Sequence, residues 1–424
     1  MQTDDANLYL SGTNSTVDSL NSDFYGRFPY PQLPYSFDYL ENPDFERIMV
    51  MQDIGDWKHT TLPRMPRVWV AGCGTNQGII TALRFPQGSI LGSDLSQTSL
   101  DLSTRNMNAL GIRNAWFKRE SINTVPYTEE FDYIVCTGVI HHNSDPMLPL
   151  SRLSRALKAT GILELMVYNQ YYWSGPAGFQ KAVRVLAETT ESPDFVLELA
   201  IAKRMLSSLP EGRHKTYLQN YRGSSDEVLA DLLIQPVLHG YTIASVCDLV
   251  QSSSLHIVSH CPNMHDAALG ILSWEFAFED KELQARYDAL PDQARWQITN
   301  LLRFDQMPYL WFYCMRDDSP FERKTLEVMN AEFLQTTFSR VETTRRSFRR
   351  DERGEYKLSP KAIPYPSRYL KSNQQQILAQ IDGKTTMGAI LDRCSFDKNF
   401  QSINSIRVAL ATSAFPYVVA PGGV

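Results

Sequence analysis

The stretch VWVAGCGTNQG, residues 68–78, decides the fold. A short apolar run, VWVAG, ends in glycines at 72, 74 and 78, and a helical pattern follows at 77–84. Glycine lets a chain turn sharply and lets a ligand approach the backbone. The helix that follows presents its N-terminal amides to that ligand. The spacing is G-x-G-x-x-x-G, one residue longer than the dinucleotide fingerprint G-x-G-x-x-G. Taken alone, such a turn is common to many nucleotide enzymes.

Outward from this turn, strand candidates recur at SILGSD (89–94), AWFKR (115–119), FDYIVCT (131–137) and ILELMVY (162–168). Helical patterns at 97–109 and 146–158 separate them, and Gly161 stands where a left-handed helix cap is expected. Strands alternating with helices predict a parallel sheet with right-handed crossovers. The alternation stops after Tyr168. Residues 176–210 read as helices, a helix and strand return at 241–260, a further helical stretch spans 279–303, and LWFYCMRD (310–317) reads as a last strand. The expectation is an α/β, Rossmann-like seven-stranded sheet with helical cap insertions and a small C-terminal α+β or winged-helix-like appendage. Its parts are an N-terminal arm and aromatic lid, 1–65; a core, 66–169 and 241–318, with a helical insertion at 263–308; a helical cap, 170–240; a charged linker, 319–364; and a small domain, 365–424.

Four features carry chemistry. The glycine turn is the first. The second is Asp94 in GSDLS, at the end of strand two, where an acid can accept bonds from both hydroxyls of a ribose; Ser96 is the better helix N-cap there. The third is Glu120-Ser121-Ile122 after strand three, a short polar side chain and an apolar face suited to an adenine ring. The fourth is FDYIVCTGVIHHNSDP, 131–146, in which Thr137 and Gly138 open a crevice and His141 and His142 stand at its edge. In open α/β sheets, ligands sit at the carboxyl ends of strands where the order reverses.

In this order and combination, residues 66–168 resemble the class I S-adenosylmethionine-dependent methyltransferases. V-x-G-C-G-x-x-x-G, D-L-S, F-D-x-I-x-x-x-G-V-x-H-H and L-K-x-x-G-x-L all match, over about a quarter of the chain. Lys158-Ala-Thr-Gly161 departs from the more usual K-P-G-G. The resemblance implies S-adenosylmethionine as cofactor. Gly72, Cys73, Gly74 and Gly78 would surround its methionine part and Asp94 its ribose. Leu95, Ser121 and Ile122 would flank the adenine, with Thr137, Gly138 and His141 near the sulfonium. His141 or His142 is then a candidate base, and Tyr25, Tyr168, Asn169, Tyr171 and Tyr172 are polar candidates near the opening. The aromatic arm DFYGRFPYP and the cap at 170–240 are expected to close over the acceptor, with Tyr25 and Tyr171 or Tyr172 lining it.

The expected acceptor is an oxygen or nitrogen nucleophile of a small molecule. A peptide or protein acceptor held by the C-terminal segment 369–391, an NAD-dependent oxidoreductase, and a silent cofactor-binding protein are the alternatives. A net charge of −6 argues against a broad nucleic-acid surface. Six scattered cysteines without a CxxC pair suggest neither zinc nor a disulfide framework. No run of eighteen apolar residues and no signal-peptide pattern occurs, so neither a membrane nor export is expected and the cytoplasm is the simple reading. The prolines at 29, 31 and 34 forbid a continuous helix in the arm, residues 1–22 read as disordered, and the basic run at 340–357 reads as a solvated linker.

Overall fold

The computed structural model describes residues 13–189, 193–208, 218, 221–262, 274–366 and 370–422. Its centre is a seven-stranded sheet. The strands are β2 (Arg67–Ala71), β3 (Ser89–Asp94), β4 (Ala115–Arg119), β5 (Phe131–Thr137), β6 (Leu157–Tyr168), β7 (Leu255–His260) and β8 (Tyr309–Arg316), with β1 (Ser36–Leu40) lying outside it. The order is β4-β3-β2-β5-β6-β8-β7. All pairs are parallel except those made by β8. The order reverses between β2 and β5, so the crevice expected in such sheets opens beyond Ala71 and Thr137.

The sequence explains the sheet directly. Four of the five residues of β2 are buried, as a strand covered on both faces requires. One face packs Trp69, Ile134, Leu163 and Phe312 against helices, and the other packs Val68, Val70, Tyr133 and Tyr313. The helices α3 (Gln77–Arg84) and α4 (Gln97–Ala109) have the bounds read from the sequence, after α1 (Asn14–Arg27) and α2 (Phe45–Asp53). Among the described residues no helix is long and apolar enough to cross a membrane.

Three expectations need correction. The arm contains a helix after all: α1 runs from Asn14 to Arg27 and stops just before the prolines. Its buried residues, Asn14, Val17, Asn21 and Phe24, recur at helical spacing, but two are polar, which hid the stripe. Residues 1–12 lie outside the described part. The basic run is not a loose linker. After the short β9 (Ser339–Arg340), β10 (Thr343–Arg350) pairs antiparallel with β1 of the arm, and Arg346 Nε meets Glu41 at 2.8 Å. The helix before β6 (α5, Met147–Ala156) ends at Ala156, and Gly161 lies inside β6 rather than capping it.

The C-terminal unit also begins earlier than expected. Phe333 and Phe338 belong to its core with Ile377, Leu391 and Leu410. It docks on the end of α2. Gln52 Nε2 donates to the carbonyls of Ala411 (3.1 Å) and Val418 (3.2 Å), and Ala420 N donates to Gln52 Oε1 at 2.8 Å. Beside it the buried Asp53 carboxylate accepts from Ser413 N (2.9 Å) and Tyr313 Oη (3.1 Å).

Burial pushes Asp53 up to about 7, against the opposing pull of the Ser413 bond. A carboxyl raised in the folded state stabilises most below its unfolded value, and that contribution is lost as pH rises through the folded value. Thermal melts from pH 5 to pH 8 should therefore show stability falling. Asp53→Asn should make the fall shallower. A variant with the wild-type slope would remove Asp53 from the linkage.

Candidate active site

The chain leaves β2 with Gly72 at φ +72° and Gly74 at φ +52°, conformations that glycine adopts without strain. The amides of Gly72 and Cys73 both donate to Ser93 O, at 2.8 and 2.9 Å, which ties the turn to the end of β3. Asp94 closes the arrangement. Its Oδ2 accepts from Gly74 N at 2.9 Å and its Oδ1 from Ser96 N at 2.8 Å. Burial raises the Asp94 carboxyl, and the amides of Ser96, Gly74 and Leu95 pull it back. Each oxygen holds one amide and keeps a lone pair for a further donor.

A cavity of about 350 Å³ lies over this turn. Gly72, Cys73, Gly74, Asp94, Leu95 and Ile122 line one end, and Thr137, Gly138 and Tyr168 lie further along. The arm forms its roof through Asp18, Asn21, Tyr25 and Tyr30. Side chains of the turn and the following loop fasten it: Thr75 Oγ1 donates to Pro31 O, Asn76 Nδ2 to Gln32 O at 3.1 Å, and Ser96 Oγ to Tyr25 O at 3.0 Å. Asp18 accepts from Ser121 Oγ and from Asn123 Nδ2 at 2.9 Å.

Three residues expected at the cofactor stand elsewhere. Gly78 is needed for packing, because a Cβ there would come within 2.5 Å of the Phe117 ring. Ser121 is taken up by Asp18 of the arm. His141 lies behind the wall, stacked on Tyr168 with ring centroids 3.9 Å apart. Both its ring nitrogens are buried without partners, and burial holds it well below the usual histidine range. Its neighbour His142 is the one that lines the cavity. Its Nδ1 is 2.8 Å from Val237 O, which fixes the proton on Nδ1, and burial lowers it to about 4.

Among the expected aromatics, Tyr25 and Tyr168 line the cavity. Tyr171 turns toward Phe304 and Tyr172 toward Trp173, so neither does. The Asn169 side chain caps the next helix and donates to Met307 O at 2.6 Å. Tyr30, Tyr309 and Asp231 take the places expected of Tyr171 and Tyr172. A lone Asp in a helix of the cap and a Tyr at the start of a strand carry no local signal, so spacing alone does not find them.

Among the described residues the cap holds α6 (Gln170–Ala187), α7 (Phe195–Ser208) and α8 (Asp226–Leu233). Phe24 of the arm is fully buried in its core beside Phe195, Leu199 and Leu233. Arm and cap therefore form one covering layer.

Residues 69–197 match the family model described as a methyltransferase domain. That match runs from β2 to the start of α7 and includes the glycine turn, Asp94 and the histidine pair. An uncharacterized protein of Synechococcus sp. is 29% identical over 202 residues, 45% of this chain and 47% of its own. An uncharacterized protein of Rickettsia prowazekii is 27% identical over 135 residues, 31% of this chain and 22% of its own. The chain thus spans less than half the length of these curated relatives. The solved structure of PKMT2 from Rickettsia typhi in complex with AdoHcy (S-adenosylhomocysteine) shares the methyltransferase fold. Its TM-score is 0.59 at 15% identity, over 89% of this chain and 76% of that one.

The fastening of the arm makes a prediction. A Cβ on Gly74 would stand 2.5 Å from Tyr30 O, in a backbone conformation that L side chains rarely adopt. Gly74→Val should loosen the arm, and limited proteolysis should cut residues 13–35 faster than in the wild type. Unchanged cleavage would mean that the arm is held without this contact.

Proposed function

We propose that this chain is an S-adenosylmethionine-dependent methyltransferase acting on an oxygen or nitrogen nucleophile of a small acceptor. One observation carries the reading: a single cavity joins the Asp94 and Gly74 turn to a tyrosine-walled chamber at Tyr168. The cofactor suits the residues at the first end. Asp94 has lone pairs for two ribose hydroxyls, Leu95 and Ile122 offer apolar faces to an adenine, and a Cβ at Gly74 would close the turn on the arm. Thr137, Gly138 and His142 lie toward the sulfonium end. Bound S-adenosylmethionine supplies an electrophilic methyl group whose leaving thioether departs neutral.

The chain's own work is alignment and exclusion of water. Holding two reactants in register is worth ~7–11 kcal/mol. The arm and cap exclude water by forming a roof over the cavity. A base is required only when the nucleophile carries a proton. His142, held neutral with its proton on Nδ1, is the histidine that lines the cavity; His141, shut behind Tyr168, does not serve. Among the described residues, none beyond Trp311 lines the cavity, which gives no support to a peptide held by the C-terminal unit.

Asp94→Ala should weaken S-adenosylmethionine binding. Two hydrogen bonds to a charged acceptor are at stake, each worth roughly 1.5–3 kcal/mol, so affinity should fall at least about a hundredfold by calorimetry. The wild type should bind S-adenosylmethionine and not NAD. Incubation with labelled S-adenosylmethionine and a metabolite extract should label a small molecule. Heat from NAD alone would overturn the reading.

A further inference from the structure

The far chamber holds one carboxylate among four phenols. Asp231, on α8, faces the cavity with Tyr25, Tyr30, Tyr168 and Tyr309. It is 4% exposed. Its Oδ1 accepts from Tyr25 Oη at 2.9 Å, and its Oδ2 is buried with no partner. Elsewhere the cavity wall carries Asp18, Asp94 and Glu120, and among the described residues that line it there is no lysine or arginine. A buried carboxylate oxygen without a donor is costly, and charge of one sign makes it costlier. If Asp231 served only to pin the arm to the cap through Tyr25, an asparagine would do so without burying a charge. Among the described residues the chamber has no cationic donor, and its tyrosine faces attract cations as well.

We propose that Asp231 and the surrounding tyrosines receive the amino group of the acceptor, so that the acceptor is a primary or secondary amine. This rests on the cofactor reading above. The ammonium form donates to Asp231 Oδ2 and lies against the phenol rings. Anionic acceptors are repelled by the four carboxylates, and an alcohol brings no charge to answer Asp231. Burial raises Asp231 to about 7, where it accepts a proton near neutral pH. Loss of one ammonium proton to Oδ2 frees the nitrogen lone pair to form the new N–C bond, and the electron pair of the broken C–S bond stays on sulfur.

Two sulfonium analogues test this without knowing the acceptor: S-adenosylhomocysteine alkylated on sulfur with n-butyl or with 3-aminopropyl. The chains are equally long and differ in one terminal group. In calorimetry the wild type should bind the aminopropyl analogue at least about tenfold more tightly than the butyl one, the worth of one charged hydrogen bond. Asp231→Asn should erase that preference while still binding S-adenosylhomocysteine. Equal affinity of the two analogues for the wild type overturns the proposal, and so does a preference that survives in the variant. If the variant does not fold, the wild-type comparison decides alone. Failure of the wild type to bind S-adenosylhomocysteine at all would overturn the cofactor reading itself, and this inference with it.

Discussion

Everything at this site depends on one carboxylate accepting two backbone amides beside a reversal of strand order. Asp94 ends β3 and grips Gly74 N from the turn after β2 and Ser96 N from the turn into α4. Those two bonds hold the glycine turn open above the sheet and fix where the ends of β2 and β3 stand. They also leave each oxygen a free lone pair in a buried place, where an added hydroxyl donor counts for more than it would in water. The fold's hydrogen bonding and the site's binding capacity are thus one arrangement.

The cover over that site is built from parts distant in sequence. Helix α1 turns Phe24 into the core of the cap and Asn21 toward the cavity, with Asn21 Nδ2 donating to His142 O at 2.9 Å. Tyr25 then bridges to Asp231 on α8. Arm, cap and sheet edge meet at the chamber, so a change in any one alters the space it encloses. The arm continues into β1, which pairs with β10, so the roof is anchored to a second sheet beyond the core.

Much of this was legible in the sequence, for physical reasons. The core strands are apolar runs closed by glycine or an acid, and the helices between them keep a clear period. The turn, Asp94, Ile122 and Thr137-Gly138 follow from local spacing, and all line the cavity. The misreadings share a cause: tertiary contacts that local pattern does not encode. Gly78 is small for the Phe117 ring, Ser121 serves the arm, and of the two adjacent histidines His142 lines the cavity while His141 stacks on Tyr168. The basic residues of β10 masked a strand, because its arginines stand in adjacent pairs instead of alternating and its partner lies some three hundred residues earlier in β1. Asp231 is meaningful only once the cap folds over the sheet.

The most direct measurement is a crystal structure of the protein with S-adenosylhomocysteine. The ribose hydroxyls should lie on the Asp94 carboxylate, with the adenine against Ile122 and the sulfur turned toward the chamber of Tyr168 and Asp231. A ligand bound elsewhere, or one whose sulfur faces away from that chamber, would contradict the account.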